Sequence, residues 1–377
     1  MESFRKGCWP VFVVRALLVL SSWMLLVPVS ASPIDQARAP RDAQIITGHY
    51  GSPTTQARIV IHDAAGRPSW TWSVPEGKNI SPELRRCLYD VCKGYGCAAT
   101  ENKWANNGDS VVAIHGFAAI VINHHPGRPT DKAITFGVCL DRDNMDNTHS
   151  VELLPDGKIA IATTSFDMTG NIKIFDLRAK SPFAPPIQQL DGIPAVHALV
   201  WDARASVLWA AGNDRSPLVQ GSRSTLNAYR YRYRSFQPRP EIYVIAPATH
   251  LTVEWGRNTP WWDGGHAMTQ IPNQRKLLIT TDLDVHVFDI NSRTFEHGES
   301  VQRKYLAGFT PVGMCQNLPR SDIKSVSYLP DGRTLYVQAL WGETFSNYVV
   351  HLAGGRRIQN IWNQKLYRSR WFTRPLW

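Results

Sequence analysis

The sequence predicts an all-β protein, a β-propeller with six blades as the favoured number and seven as the alternative. The first observation is a repeated hairpin, because His149–Gly157 (HSVELLPDG) and Lys324–Gly332 (KSVSYLPDG) agree at six of nine positions. The second is that weaker copies begin at His197 and His266, so that successive starts lie 48, 69 and 58 residues apart. A repeat of about 50 residues has room for the four short strands of one blade.

The amino terminus is predicted to be an export signal covering residues 1–31. Arg5 and Lys6 give it a positive start, Val11–Val27 form its apolar run, and Val29-Ser30-Ala31 supplies a small-residue cleavage site. No later stretch approaches the roughly 18 apolar residues that a membrane span needs. We therefore expect a secreted, extracellular protein without a membrane span after cleavage, with residues 32–377 as one domain.

Five cysteines follow the signal, and an oxidising compartment would allow them to pair. Three lie in an insert at about residues 75–100, and two near expected strand ends: Cys87, Cys92, Cys97, Cys139 and Cys315. The count predicts two disulfides and one free thiol, with the connectivity open. A zinc knuckle in the insert is the alternative, although the cysteine spacings match no metal-binding pattern.

The net charge is +10 for the whole chain. It becomes +8 without the signal, which holds three basic residues and one acidic residue. Because the basic residues are scattered, this charge favours solubility first and anionic ligands second. We expect a monomer that does not bind nucleic acid.

Each predicted blade follows from strands with period-two alternation of apolar residues. Blade one takes Gln44–Gly48, Arg58–Asp63 and Ser69–Val74, and the later blades span about 101–139, 148–191, 197–255, 265–301 and 323–362. Blade one lacks an innermost strand, whereas Lys365–Phe372 is left over at the other end. Pairing of this C-terminal strand into blade one would close the ring and remove both open edges.

Alternating tyrosine and arginine in Tyr229–Arg234 suggests one strand with an aromatic face and a cationic face. As a functional feature it could stack against and charge-pair with an acidic sugar. The interpretation we favour is an outer-edge strand whose arginines prevent aggregation.

Equivalent strand ends predict a shared site at one mouth of the central channel. The innermost strands of a propeller all start on the same face, which puts His149, His197, His266 and Lys324 around that mouth, with Glu101 or Lys103 as the blade-two counterpart. Loops after the second strands add further polar and aromatic residues: His49, His115, Asn213, Asp214, Asp282 and Trp341. Such convergence is typical of a ligand site.

Two chemistries fit that mouth. His149, His197 and His266 could hold a divalent metal, Mn or Zn, while leaving positions open for a substrate. The metal would neutralise a uronate carboxylate, so that a base could remove the adjacent proton and expel the glycosidic leaving group, as in a polysaccharide lyase. Alternatively, Lys324 and the histidines hold an acidic or hydroxylated ligand without turnover, with Trp262 and Trp341 as apolar platforms.

Other reaction classes find no support in the sequence. It contains no nucleophile elbow, phosphate loop, dinucleotide fingerprint or His-Glu-x-x-His motif, and no specific carboxylate pair of a glycosidase. Asp156 and Asp331 belong to turns at the opposite strand ends.

The motifs HSVELLPDG at His149, GGHAM at Gly264 and KSVSYLPDGR at Lys324 resemble an uncharacterised family of secreted six-bladed propellers. That resemblance covers most of residues 43–362 and implies the fold and export, but no reaction and no catalytic residue. The chain is more distantly similar to oligogalacturonate lyases, propellers with a histidine-bound metal in the channel.

Three functions therefore stay open. We favour a secreted propeller that binds an acidic or hydroxylated ligand, a saccharide in class, at the His/Lys-lined mouth, with its reaction unknown. The alternatives are a metal-assisted lyase acting on uronate-containing glycans and a non-catalytic scaffold or effector that binds a protein partner through its loops.

Overall fold

The computed structural model describes residues 43–97, 99–141, 145, 147–251, 260–311, 314–315, 318–319, 321–339 and 345–374, with the backbone alone for 314–315, 318–319 and 359–363. The chain is all-β and forms successive four-stranded antiparallel units, which confirms the predicted propeller class. The predicted export signal and Trp341 lie outside the described residues.

The first half of the chain forms eleven strands. They are β1 (Gln44–His49), β2 (Arg58–His62), β3 (Pro68–Trp72), β4 (Glu101–Ala105), β5 (Ser110–His115), β6 (Ala118–Asn123), β7 (Ile134–Cys139), β8 (Thr148–Leu154), β9 (Lys158–Thr163), β10 (Ile172–Asp176) and β11 (Gln188–Leu190). Strands β4–β7 form one sheet and β8–β11 the next, each in chain order across the sheet.

The second half continues the pattern. Its strands are β12 (Ala198–Asp202), β13 (Val207–Asn213), β14 (Ser224–Arg232), β15 (Ser235–Phe236), β16 (Glu241–Ala246), β17 (Gly265–Ile271), β18 (Lys276–Thr281), β19 (Val285–Asp289), β20 (Thr294–His297), β21 (Met314–Cys315), β22 (Leu318–Pro319), β23 (Ile323–Tyr328), β24 (Thr334–Gln338), β25 (Ser346–Ala353) and β26 (Arg356–Phe372). Strands β12, β13, β14 and β16 form one unit, and β17–β20 form another.

The long strand β26 closes the ring. Its first part pairs with β25, and its second part pairs with β1, where Gln44 lies opposite Phe372 and His49 opposite Leu366. The C-terminal strand thus becomes the innermost strand of the first unit, as predicted. With β26 counted in both units the pairings are compatible with six blades, and the blade number stays a prediction.

The core lies between neighbouring units. One apolar cluster joins Val112 and Ile114 of β5 to Val151 of β8 and Ile159 of β9. Another joins Leu226 of β14 to β17 and β18 of the next unit. Each unit therefore buries its faces against its neighbours, which is why none of them can fold alone.

The Cys-containing insert carries helix α1 (Pro82–Leu88). Ser81 caps it by accepting a 3.2 Å hydrogen bond from the Leu84 N–H, and Pro82 suits the first helical turn. The helix packs closely on the second unit, since a Cβ at Gly137 would lie 2.4 Å from the Leu84 side chain. A second helix, α2 (Glu299–Tyr305), lies between β20 and β23.

Four cysteines pair within and beside the insert. Cys87 is bonded to Cys139 and Cys92 to Cys97, with Cα–Cα distances of 5.7 and 5.3 Å. The structure thus supplies the two disulfides that the count predicts. The first bond ties α1 to β7.

The prediction of an outer-edge strand at Tyr229–Arg234 is wrong. Strand β14 is the third strand of its unit and pairs with β13 on one side and β16 on the other. Tyr229 is buried, and Arg230 donates a 2.9 Å hydrogen bond to Glu241. The strand ends at Arg232, and Tyr233 and Arg234 form a tight turn with positive φ. The segment is therefore covered on its outer side by β16.

In the described part of the chain, no helix combines the length and apolar character needed to cross a bilayer.

Candidate functional site

Three of the predicted channel residues occupy the same irregularity of the backbone. The β8–β9 register skips His149, the β17–β18 register skips His266, and the β23–β24 register skips Lys324. Each of these residues lies at a β-bulge near the start of an innermost strand. A bulged residue leaves the ladder of hydrogen bonds and re-aims its polar groups. The repeat therefore releases backbone groups toward the axis of the ring.

The Arg368 side chain binds the backbone of two of these bulged residues, His149 and His266, and of His197, which directly precedes β12. Its Nη1 donates to the carbonyl oxygen of His149 at 2.6 Å, and its Nη2 donates to the carbonyl oxygens of His197 at 2.7 Å and His266 at 3.2 Å. Nη1 also donates to Glu101 at 2.8 Å. One buried guanidinium from β26 thus connects four other units at the axis.

Glu101 balances the buried arginines. Arg370 binds both of its carboxylate oxygens, at 2.7 and 2.9 Å, in a bidentate pair. Burial alone would raise the pKa of Glu101, but Arg370, followed by Lys103 and Arg368, outweighs it and lowers the pKa to about 2. The carboxylate is therefore ionised at neutral pH and holds the cluster together.

The three predicted histidines do come together. The ring centroids of His149 and His197 lie 5.1 Å apart, and those of His197 and His266 lie 4.4 Å apart in a stack. In His149 and His197, Nδ1 lies about 3 Å from the carbonyl oxygen two residues earlier, at 3.0 and 3.1 Å. A carbonyl only accepts, so Nδ1 carries the proton and Nε2 is left as an acceptor.

All three imidazoles are neutral near pH 7. Burial, followed by the charge of Arg368, lowers the pKa of His149 to about 4. Burial also lowers the pKa of His197 and His266 well below the usual value, with Lys324 adding to the effect on His266. These side chains therefore bring polarity to the channel but no positive charge.

His266 has a distinct partner. Its Nε2 lies 2.6 Å from the Tyr367 hydroxyl, and its Nδ1 faces Asp282 at 3.8 Å. The nearby carboxylate favours the proton on Nδ1, so the hydroxyl donates to Nε2. Burial raises the pKa of Tyr367, which keeps the phenol protonated.

The predicted three-histidine metal site finds no support in this geometry. Among the described residues, the only group of three whose potential ligand atoms lie within 4.8 Å of one another is Cys87, Cys139 and Asp141. The two sulfurs of that group are joined in a disulfide, which is not a thiolate ligand. The ring of His197 stacks on that of His266, the ring of His149 is tilted by 47° against that of His197, and the Tyr367 hydroxyl contacts Nε2 of His266.

Other predicted residues lie apart from the stacked histidines. His115 packs edge-on against Trp72 at 5.3 Å, beneath the Cys insert, and His49 lies 5.9 Å from His62. Trp262 packs on His250. Asp214 pairs with Arg223 in its own loop. Ligand-binding roles for all of these residues stay predictions.

Lys103 faces a different part of the channel from the histidines. Its Nζ donates to Glu152 at 2.7 Å and to the Leu199 carbonyl at 3.0 Å. It lies two residues beyond Glu101 on β4, which is about 6.6 Å farther along the strand. Glu101 is therefore the blade-two counterpart of the histidines, and Lys103 lines a cavity at the opposite ends of the innermost strands.

That cavity has a volume of about 320 Å³. Its wall is formed by the later residues of innermost strands from all around the ring. The charged lining residues are Lys103, Glu152, Arg370 and Arg374, and the aromatic ones are Trp104, Trp201, Tyr328 and Trp371. We call it the strand-end cavity.

The charges of the strand-end cavity are mostly buried. The side chains of Lys103 and Arg370 are 13% and 11% exposed, and that of Glu152 is 17% exposed. Burial raises the pKa of Glu152, an effect that Lys103 opposes. Strong, fixed charges with limited access to solvent are typical of ligand sites.

Sequence reasoning missed Glu152 of β8 and Trp104 of β4, and it missed three residues of the closing strand. Arg368 and Arg370 are two residues apart on β26, so both side chains face the channel. The Tyr367 hydroxyl contacts His266. The strand itself was predicted to be innermost. The two-residue alternation of side chains along this strand would have predicted that both arginines face the channel.

Comparisons with known proteins yield similarity in fold alone. No family model matches the chain, and no curated protein matches it. A chain of a mitotic checkpoint complex aligns with 91% of this chain and 88% of its own length at 11% identity, with a TM-score of 0.44. A protein from Bacteroides uniformis assigned as a 6-phosphogluconolactonase aligns with 85% of this chain and 82% of its own length at 13% identity, with a TM-score of 0.46.

Proposed function

We propose that the chain is a ligand-binding propeller that takes an acidic ligand in the strand-end cavity. The observation that carries this proposal is the pair of largely buried cations, Lys103 and Arg370, whose remaining exposure opens on one cavity. Opposite charge concentrated in a cleft attracts and holds an anion more strongly than the same charge on an open surface.

The charge balance supports an anionic occupant. The cavity lining holds three cations, Lys103, Arg370 and Arg374, against one carboxylate, Glu152, and Glu101 directly behind it pairs with Arg370. Three minus two leaves a net charge of +1 in this region when both carboxylates are ionised. A neutral ligand would leave that excess uncompensated.

The mouth lined by histidines is a weaker candidate for an anion. Its imidazoles are neutral because burial lowers their pKa values. The guanidinium of Arg368 is engaged by three carbonyl oxygens and by Glu101. The geometry thus favours the opposite end of the channel from the one expected.

The test is a panel of small anions with neutral analogues, measured by calorimetry and by protection against thermal unfolding. Binding of an anion should stabilise the native state by an amount that rises with the logarithm of the anion concentration above the Kd. Affinity should fall severalfold between about 20 and about 500 mM NaCl, because salt screens the attraction. Equal binding of neutral analogues, or no binding by any anion, would overturn the proposal.

A rim variant sharpens the test without disturbing the buried cluster. Arg374 is exposed at the edge of the cavity, so Arg374→Gln should weaken anion binding at low salt about two- to fivefold, chiefly through slower association. Arg303→Gln removes a charge of the same kind from an exposed pair on α2, outside the cavity lining, and is the matched control. An equal loss in both variants would contradict a local site.

A lyase is the second candidate, and one contact favours it. The 2.6 Å contact between Tyr367 and the neutral His266 joins a proton donor to a proton acceptor. Incubation with uronate-containing polysaccharides, with and without added Mn or Zn, should then produce ultraviolet absorbance from an unsaturated product. Absence of absorbance under both conditions would remove this candidate.

Export is also proposed, from the charged start, apolar run and Val29-Ser30-Ala31 of the amino terminus. Expression in a secreting host should yield a product in the medium that begins at Ser32. Retention of residues 1–31, or of all product inside the cell, would contradict it.

A further inference from the structure

The strand-end cavity combines three features that together narrow the class of acidic ligand. It has buried cations, a carboxylate in its wall and half-buried tryptophans. Each feature alone fits several kinds of molecule. Their combination within about 320 Å³ is selective.

Unused donors are available for a carboxylate. Lys103 uses two of its three N–H groups for hydrogen bonds to Glu152 and the Leu199 carbonyl, and its Nζ also lies 3.9 Å from the Glu101 carboxylate, so one N–H remains for a ligand. Arg370 has five N–H groups, of which two donate to Glu101 and a third donates to the Val326 carbonyl at 3.5 Å. A ligand carboxylate between these side chains would complete both sets of bonds.

Glu152 selects against a plain polyanion. Its carboxylate lies in the same wall as the cations and is partly exposed to the cavity. A phosphate or sulfate placed there would be repelled by Glu152, whereas hydroxyl groups would donate to it. The lining therefore suits a molecule that carries one negative charge and several hydroxyl donors.

Trp104 and Trp201 provide apolar platforms. They come from the innermost strands β4 and β12, and both are half-buried, because each packs against an apolar cluster between neighbouring units while the rest of its surface lines the cavity. Trp371 and Tyr328, by contrast, are only 5% and 6% exposed and serve as wall. Half-exposed indoles in a polar pocket bind ligands with an apolar face and a hydroxylated edge.

The size of the cavity limits the ligand. A volume of about 320 Å³ lies at the lower end of the range of about 300–1,000 Å³ for small-molecule sites. This space holds about one sugar ring with its substituents.

We infer that the strand-end cavity binds a single sugar-acid ring, with its carboxylate on Lys103 and Arg370, its ring face on Trp104 or Trp201, and hydroxyl groups donating to Glu152. This inference rests on the proposed function. It adds the requirement for a ring and for hydroxyl groups to the requirement for charge.

The experiment is calorimetric titration of the full chain with four probes. D-glucuronate carries charge, ring and hydroxyls; D-glucose lacks the charge; acetate lacks the ring; inorganic phosphate has more charge and no ring. D-glucuronate should bind at least about tenfold more tightly than each of the others, which corresponds to about 1.4 kcal/mol.

Variants locate the ring. Trp104→Ala and Trp201→Ala should each be tested, and at least one should weaken glucuronate binding about tenfold while Trp→Phe at the same position restores most of it. Phe166→Ala is the control, since that aromatic side chain is 39% exposed beyond the end of β9, at the histidine side.

Lys103→Gln should weaken glucuronate binding, and Lys132→Gln, which breaks a surface pair with Glu76, should not. Thermal unfolding checks that each variant is folded.

The outcomes separate the two proposals. If acetate or phosphate binds as tightly as glucuronate, the acidic-ligand proposal stands and the sugar-acid inference fails. If neither Trp104→Ala nor Trp201→Ala weakens glucuronate binding, the sugar-acid inference fails as well. If no probe binds, both fail.

Discussion

Arg368 and Glu101 form a 2.8 Å ion pair in which the two side chains are 1% and 0% exposed, joining the closing strand β26 to the start of β4. The pair lies where three further carbonyl oxygens meet the same guanidinium. This buried interaction couples the last strand of the chain to four other units.

Arg368→Met should destabilise the fold by about 3–5 kcal/mol, because Glu101 loses one of its partners and three carbonyl groups lose a donor in a buried place. Urea unfolding of the purified protein measures this cost. Arg303→Gln, which breaks the exposed pair with Glu299, should cost less than about 0.5 kcal/mol. Similar costs for the two variants would show that the axial arginine is not a structural hub.

Removal of the closing strand should abolish cooperative folding. Truncation after residue 362 deletes the part of β26 that pairs with β1 and exposes both sheet edges. Truncation after Arg374 keeps that pairing and is the matched control. Soluble yield and the sharpness of thermal unfolding distinguish them, and a cooperative transition in the shorter chain would contradict ring closure by β26.

Stability should fall as the pH falls from about 6.5 to about 4. Eight histidines have pKa values that burial lowers, among them His49 to about 3 and His115 to about 4. The unfolded chain therefore binds more protons over this range, so their contribution is present above the unfolded pKa and is lost on acidification. Asp263, whose pKa burial raises to about 7, and Glu152 oppose this trend but are outnumbered.

His115→Phe tests the sign of that effect. Both ring nitrogens of His115 are buried without a hydrogen-bond partner in the described part of the chain, and the ring packs on Trp72. The variant should flatten the decline in stability by at most about 3 kcal/mol between pH 7 and 4, which follows from a shift of roughly 2.5 pKa units. Urea midpoints at pH 7.5, 6 and 5 give the slope. An unchanged slope would mean that His115 does not take up a proton on unfolding.

The two disulfides should differ in their contribution to stability. The Cys87–Cys139 bond spans 52 residues and the Cys92–Cys97 bond spans 5. Loop-closure entropy then gives about 4 kcal/mol for the first and about 2 kcal/mol for the second. Paired Cys→Ala variants at each bond, compared by urea unfolding without reductant, measure the order, and a larger loss at Cys92–Cys97 would reverse it.

Glu152→Gln probes the charge of the strand-end cavity. The substitution keeps the shape of the side chain and removes one negative charge from the lining, so acetate should bind about three- to tenfold more tightly at low salt. Titration with acetate at two salt concentrations measures the gain. Weaker acetate binding would show that Glu152 positions Lys103 for the anion instead of competing with it.

Much of the architecture could be predicted because the turns and strands repeat. The Pro-Asp-Gly turns and the spacing of the histidines identify the units, and the missing innermost strand of the first unit identifies the role of residues 365–372.

The site was harder to predict for two physical reasons. Bulges at His149, His266 and Lys324 shift the alternation of the innermost strands, so the direction of a side chain beyond a bulge cannot be counted from the strand start. The central occupant, Arg368, belongs to a strand outside the repeat, so repeat alignment gave no sign of it. The histidines were correctly placed together, but the backbone of each, more than its ring, meets the axis.

The single guanidinium at the axis also bears on how this chain can diverge. A duplicated or deleted repeat would widen or narrow the ring and draw some of the carbonyl groups out of reach of one planar group with five donors. Length changes in outer loops carry no such penalty. We therefore expect descendants of this sequence to vary at the periphery while the number of repeats stays constant.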